Sequence, residues 1–269
     1  MYESYWDLQE KPFENTPDPR FLFQDPHTAE VFARLQYAIT GNRGAALLTG
    51  ESGCGKTLLT RALLLELEAD KTEIGLLPTP TQTADGFLRE VLYQLGEEDP
   101  AGDRTQVIHK IHEILFDHHS RGIQTVLVVE EGQHIEDESL LEEIRLLLNF
   151  QLNDAFLVTL LLVGQPQLAE RIRSFVPLDQ RIAARTVLAP LGPEETSDYI
   201  AHRLQVAGRV EPIFSADAIE LVYQYSGGIP RKVNNICDIA LLIGSSRKLT
   251  DLDADWMARL IQSEQGNGP

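Results

Sequence analysis

A parallel α/β sheet followed by a small all-helical unit is the fold class this sequence predicts, and three observations lead to it. Between Ala45 and Leu188, short apolar or β-branched runs alternate with stretches of helical periodicity, as in a parallel sheet whose strands are joined by crossover helices. The first of those runs, Ala45-Ala46-Leu47-Leu48, passes through Gly50-Glu51-Ser52-Gly53-Cys54-Gly55-Lys56-Thr57 into the helical stretch Leu58 to Leu65. From Leu191 the pattern changes: Gly192-Pro193 punctuates the chain, and everything after it reads as helix. The expected division is residues 1–190 as an α/β nucleotide-binding domain with an aromatic, proline-rich N-terminal extension, and residues 191–269 as a helical lid.

Composition sets the broad class. The 269 residues suffice for one large domain or a large and a small one, and 43% hydrophobic with 24% charged residues is the balance of a globular chain with a core. Against 41 Asp and Glu stand 23 Lys and Arg, a formal charge of -18. That charge works against non-specific nucleic-acid binding, because phosphate neutralisation supplies most of such affinity. Two cysteines, Cys54 in the glycine-rich loop and Cys237 in an apolar helical run, suggest no disulfide framework and fit a reducing cytosol. No apolar run approaches the roughly 18 to 20 residues that cross a bilayer, and the acidic, aromatic N-terminus lacks the basic-then-apolar form of a signal peptide. A cytoplasmic chain with no membrane span of its own is expected. The tail Gln265-Gly266-Asn267-Gly268-Pro269 reads as the start of a linker or a ragged end, so the chain is expected to be a stand-alone protein or the cytoplasmic part of a longer one.

In order along the chain, Tyr5 to Phe13 and Thr16 to Phe23 are too rich in proline for regular structure and too aromatic for a free tail. They are expected to pack against the domain. Pro26 to Ile39 is a helix with Val31, Leu35 and Ala38 on one face; just before the loop strand, Tyr37 or Arg43 either touches an adenine base or caps the core. Glu73 to Leu77 is a strand, Thr83 to Leu95 a helix, Gly96 to Asp103 a surface loop, and Val107, Ile111 and Leu115 mark another helix. His118-His119, with no carboxylate or cysteine at ligand spacing, are expected to form an exposed helix end. Thr125 to Val129 is a strand buried on both faces. After the acidic helix start Glu136-Asp137-Glu138 come strands at Phe156 to Val163 and Thr186 to Leu188. The lid helices are expected at Glu194 to Val206, Ala216 to Tyr225, Pro230 to Ile243 and Ala254 to Gln262, with capping signals at Ser215 and Gly227-Gly228.

The chemistry is read from loop and strand tips. Gly50, Glu51, Ser52, Gly53, Cys54, Gly55, Lys56 and Thr57 fit G-x-x-x-x-G-K-[ST], in which glycines let the backbone turn its N–H groups onto a phosphate and the following helix N-terminus adds partial positive charge. Lys56 is expected to reach the terminal phosphates of ATP and Thr57 to bind Mg2+. Cys54 reads as a small filler in the loop. The buried strand ends in Glu130-Glu131-Gly132-Gln133, and it is expected to lie beside the loop's strand. There Glu130 holds Mg2+, directly or through water, and Glu131 orients and deprotonates the attacking water. Gln165, in Gly164-Gln165-Pro166, occupies a third strand tip, where its amide can meet the attacking water or the γ-phosphate. Arg181 and Arg185 form surface ion pairs, or one of them is a finger reaching a neighbouring subunit's nucleotide. Arg231, just inside the third lid helix after Gly228-Ile229-Pro230, is placed to swing onto the phosphates.

With these features in this order, the whole chain resembles an AAA+ ATPase. More narrowly, Trp6-Asp7-Leu8, Lys11-Pro12-Phe13, Thr16-Pro17-Asp18-Pro19-Arg20-Phe21-Leu22-Phe23, Gly164-Gln165-Pro166 and Gly228-Ile229-Pro230-Arg231 look like the ExeA or GspA family, which includes general secretion pathway protein A and MshM-type pilus-biogenesis ATPases. The resemblance implies an oligomeric ATPase acting on a cell-envelope secretion or pilus machine through a partner protein. It assigns Lys56 and Thr57 to phosphate and magnesium, Glu130 to magnesium, Glu131 to the catalytic base, Gln165 to sensor 1, Arg181 to the finger and Arg231 to sensor 2. One departure stands out: the family's strand tip reads Asp-Glu-Ala-Gln, whereas here it is Glu130-Glu131-Gly132-Gln133, with one methylene more on the magnesium side.

Three functions follow from these residues. The first is an ATP-driven assembly factor of a secretion, pilus or polysaccharide-export system. The second is a DNA-associated transposition regulator with the same core, which the net charge opposes. A third is a scaffold switched by ATP with little turnover, which the longer Glu130 keeps open.

Overall fold

The computed structural model describes residues 2–80, 83–98 and 101–266, and the chain divides into two compact units. One, the sheet unit, holds residues 26–50 and 59–188. The other, the helical unit, holds the residues up to Asp25, the segment Glu51–Leu58 and the chain from Ala189 on. Asp99 and Pro100 of the expected surface loop and the last three residues of the tail lie outside the described residues.

The sheet unit follows the alternation of its sequence. In chain order come α1 (Pro26–Thr40), β1 (Ala45–Gly50), α2 (Lys56–Leu65, its first turn counted with the helical unit), β2 (Thr72–Leu77), α3 (Ala84–Gln94), α4 (Arg104–Ser120) and β3 (Gln124–Val129). Then follow α5 (Glu138–Leu147), β4 (Thr159–Gly164), α6 (Pro166–Ser174), α7 (Val176–Asp179) and β5 (Ile182–Leu188). The helix starts are those their caps dictate: Thr83 accepts the Gly86 N–H, and Asp103 with Gln106 forms a reciprocal capping box. His118 is not simply exposed, since its Nδ1 lies 3.0 Å from the hydroxyl of the buried Thr125 and ties the end of α4 to β3.

All five strands run parallel in the order β2-β3-β4-β1-β5. β1 and β4 are buried at every position, whereas β5, at an edge, alternates between exposed and half-buried over its first four residues. That alternation is why only Thr186 to Leu188 carries a strand signal in the sequence. The expected adjacency of β3 and β1 is incorrect. β4 lies between them, with Thr49 opposite Gly164 on one side and Val129 opposite Leu162 on the other. At about 4.8 Å per strand, the β3 tip is therefore roughly 10 Å from β1 rather than 5. The reason is physical: an apolar run marks a strand as buried on both faces but says nothing of its neighbours, and β3 and β4 satisfy the signal equally. One continuous core, including Leu127, Val129, Leu160 and Leu162 from the sheet and Phe87, Ile111 and Ile144 from the helices, holds the strands in place.

The helical unit contains α8 (Pro193–Val206), α9 (Ala216–Ser226), α10 (Pro230–Ser246) and α11 (Ala254–Gly266). Gly227 caps α9 in the left-handed conformation at φ +61°. Tyr2, Trp6, Leu8 and Phe13 share its core with Tyr199, Phe214, Cys237 and Met257. The N-terminal segment thus packs with the helices, although it was expected with the α/β domain. Two arginines explain the attachment. Buried Arg203 on α8 donates to the carbonyls of Pro12 and Glu14, and Arg209 donates to that of Trp6 at 2.6 Å. Trp6 Nε1 in turn donates to the Leu241 carbonyl of α10 at 2.9 Å. A proline-rich segment cannot meet its carbonyls with a ladder, so cationic side chains supply the donors instead.

Candidate active site

The phosphate loop grows out of β1. A Cβ on Gly50 would come within 2.4 Å of the Leu188 carbonyl on β5, so only glycine lets the strand end there. Gly53 and Gly55 adopt φ of +86° and +100°, values that L side chains rarely reach, and they bend the loop into the cradle that the motif requires. Lys56 opens α2, and its Nζ donates back over the loop to the Glu51 carbonyl at 3.0 Å. Thr57 follows in the same first turn, and a hydroxyl at a helix N-terminus suits an anion and its counter-ion. Burial pushes the Cys54 thiol up from its ordinary value, so it is a protonated filler at neutral pH.

Within the helical unit the loop meets the first turn of α10. The Arg231 N–H donates to the Gly53 carbonyl at 3.2 Å, and a Cβ on Gly53 would lie 2.8 Å from the Arg231 Cβ and 3.1 Å from Ile229 Cγ2. Arg231 itself is exposed. Sequence reading placed Arg231 near the phosphates by helix position; the backbone bond to Gly53 had no sequence signal.

At the carboxyl edge of the sheet, two further tips leave on the side from which Gly50 leaves. Glu130 follows β3, half-buried, and its N–H donates to the Leu77 carbonyl at the end of β2. Glu131 is exposed and takes the left-handed conformation, φ 51° and ψ 33°. For a residue with a Cβ, that conformation costs on the order of 1 to 2 kcal/mol. Gly132–His134 then form one 3-10 turn before α5. Gln165 follows β4 as the N-cap residue of α6, half-buried.

A side chain without an assigned role links these tips. Gln133 Nε2 donates to Glu131 Oε2 at 2.5 Å, and its Oε1 accepts the Gln165 N–H at 3.1 Å. Arg171 on α6 donates to the carbonyls of Gln133 and Ile135. Neither residue is marked by spacing or periodicity; the glutamine after the acidic pair is the sole trace in the sequence.

The arginines after α6 are held within the chain. Arg181 donates to the Leu148 carbonyl at 3.1 Å and to Asn149 Oδ1 at 2.8 Å, and Arg185 lies 2.9 Å from the Asp179 carboxylate. Tyr37 and Arg43 are misplaced as base contacts. Arg43 precedes the start of β1, a strand of six residues, so it lies at the amino edge, roughly 20 Å from the tip at Gly50. There it stacks on Tyr37, with 4.2 Å from guanidinium to ring centroid. The end of α1 that reaches the carboxyl edge is its first turn, where His27 Nε2 lies 2.9 Å from the Val187 carbonyl.

A glycine-cradled loop on the first strand of a five-stranded parallel sheet, with carboxylates and a glutamine on neighbouring tips, defines a P-loop nucleotide-binding protein of the α/β class. Residues 39–172 match the family described as AAA domain. General secretion pathway protein A of Aeromonas hydrophila is 37% identical over 251 residues, which are 92% of this chain and 45% of that protein. The chain thus carries an AAA domain and is similar to General secretion pathway protein A, of whose length it spans a little under half. Solved structures share the fold at lower identity. The ORC2 protein of Aeropyrum pernix has a TM-score of 0.72 at 15% identity, covering 97% of this chain and 73% of that one. Cdc6p from Pyrobaculum aerophilum scores 0.70 at 18% identity, with coverages of 90% and 67%. The Thermotoga maritima RuvB branch migration motor scores 0.60 at 18% identity, with coverages of 90% and 70%.

Proposed function

We propose that this chain is an ATPase that binds and hydrolyses Mg-ATP to assist assembly of a cell-envelope secretion, pilus or polysaccharide-export machine, working as a homo-oligomer in the cytoplasm and reaching the envelope through a protein partner. The observation that carries the chemistry is that Gly50, Glu130 and Gln165 stand on tips at one edge of one parallel sheet. The identity with General secretion pathway protein A supports the choice of machine. Among the described residues no helix is long and apolar enough to cross a membrane.

In this reading the N–H groups of Gly50 to Thr57 hold the phosphates, and Lys56 turns from the Glu51 carbonyl to the terminal ones. The hydroxyl of Thr57 and the carboxylate of Glu130 are hard oxygen donors of the kind magnesium takes beside phosphate oxygens. Magnesium, when bound, supplies neutralisation of charge on the transferred phosphoryl group. Glu131 takes the proton of the attacking water, Gln165 orients that water or the γ-phosphate, and Arg231 moves from beside Gly53 onto the phosphates. Arg181 completes the site of a neighbouring subunit once it leaves Leu148 and Asn149, with Arg185 as the alternative.

The test is binding and turnover of Mg-ATP by the purified chain beside Lys56→Ala. Affinity should fall about a hundredfold or more in the variant, with turnover lost; a variant indistinguishable from wild type would falsify the reading. A second reading, an ATP-switched scaffold with little turnover, rests on Glu130 standing where the family has Asp. Sizing with ADP and with a non-hydrolysable ATP analogue separates the two: assembly that follows nucleotide without measurable phosphate release favours the scaffold.

A further inference from the structure

The backbone of the turn after β3 is fixed on three sides. Gly132 is buried so closely that a Cβ would lie 2.7 Å from Leu168 Cδ2 and 3.2 Å from the Val163 carbonyl. From α6, Arg171 holds the carbonyls of Gln133 and Ile135. Glu131 is locked in its left-handed conformation. What this leaves undetermined is the Glu131 side chain, which is exposed and by itself samples several rotamers.

We propose that Gln133 is the positioning residue of this turn: its amide ties the Glu131 carboxylate to the tip of β4, so one side chain sets both the base and Gln165. The proposal rests on the reading of Glu131 as the base. Its geometry uses both ends of the amide. Nε2 donates to Glu131 Oε2 at 2.5 Å, and Oε1 accepts the Gln165 N–H at 3.1 Å, partners that also fix which end of the amide is which. Glutamate at this position would lack the donor and set a second negative charge against Glu131; an apolar residue would lack both ends. The energetic role is to remove rotamer freedom from the reacting carboxylate before the water arrives, the kind of pre-positioning on which rate depends steeply. A shift of α6, transmitted through the Gln165 N–H, then reaches Glu131 through one side chain.

The test uses Gln133→Met, which keeps the volume and loses both hydrogen bonds, and Gln133→Glu, which keeps the acceptor but loses the donor and adds a negative charge. Expected for Gln133→Met is a turnover number about tenfold lower or more, with KM for Mg-ATP unchanged within about twofold; Gln133→Glu should lose at least as much. In a Glu131→Gln background neither substitution should lower the residual rate further, because no base is left to position. In nucleotide-free protein, the Gln165 amide should exchange its hydrogen about five- to tenfold faster in Gln133→Met. Normal turnover, or unchanged exchange at Gln165, overturns the proposal. So does a loss that repeats in full in the Glu131→Gln background, since that is a structural defect alone. Failure of the underlying reading shows separately, as Glu131→Gln protein that turns over at the wild-type rate.

Discussion

The loop after β1 and the turn after β3 leave the same edge of the same sheet, and they handle backbone strain in opposite ways. In the loop the positive dihedrals fall on Gly53 and Gly55, which tolerate them, and the backbone N–H groups are assigned the phosphates. In the turn the positive dihedral falls on Glu131, the residue whose side chain is assigned the chemistry, and it is held there by Gly132 packing on Leu168 and by Arg171. Where backbone binds, glycine carries the conformation and leaves a signature. Where a side chain acts, the functional residue itself bears the strain, and its supports leave none.

That contrast can be broken at each end. Gly53→Ala has the larger expected effect. It forces an alanine to φ +86° and sets its Cβ 2.8 Å from Arg231 Cβ, so loop and first turn of α10 must part. A cost of about 2 kcal/mol follows, read as Mg-ATP affinity reduced about thirtyfold in equilibrium titration. Glu131→Gly is expected to do the reverse to stability. Relieving φ 51° should leave the fold as stable as wild type or more so by up to about 1 kcal/mol in denaturant unfolding, while turnover is lost. A Glu131→Gly protein less stable than wild type would mean that the conformation is not strained, and the contrast with the loop would fall.

How much of this was legible in the sequence follows the same line. The loop could be read whole, because strand, glycines, Lys56 and Thr57 lie within one local pattern. The strand tips could be read one at a time: apolar runs delivered Glu130 and Gln165 to the carboxyl edge, but not the insertion of β4 between β1 and β3. Of the two alternatives for Tyr37 or Arg43, the base contact fails because closeness to the loop in sequence is not closeness in space when a six-residue strand intervenes. The aromatic and proline-rich start was legible as packed. The surface it packs on depends on Arg203 and Arg209, charged residues that pattern assigns to solvent. Gln133 was visible as part of the strand-tip motif but its role was not, because that role lies in two hydrogen bonds, one to Glu131 and one to a residue 32 positions on.

Glu131 is proposed to act on the attacking water, and the loop from Gly50 to Thr57 to hold ATP. The most direct test is Mg-ATP binding and single-turnover hydrolysis by Glu131→Gln next to wild type. The expected result is wild-type affinity with hydrolysis slowed about a hundredfold or more. Hydrolysis at the wild-type rate in Glu131→Gln would contradict it.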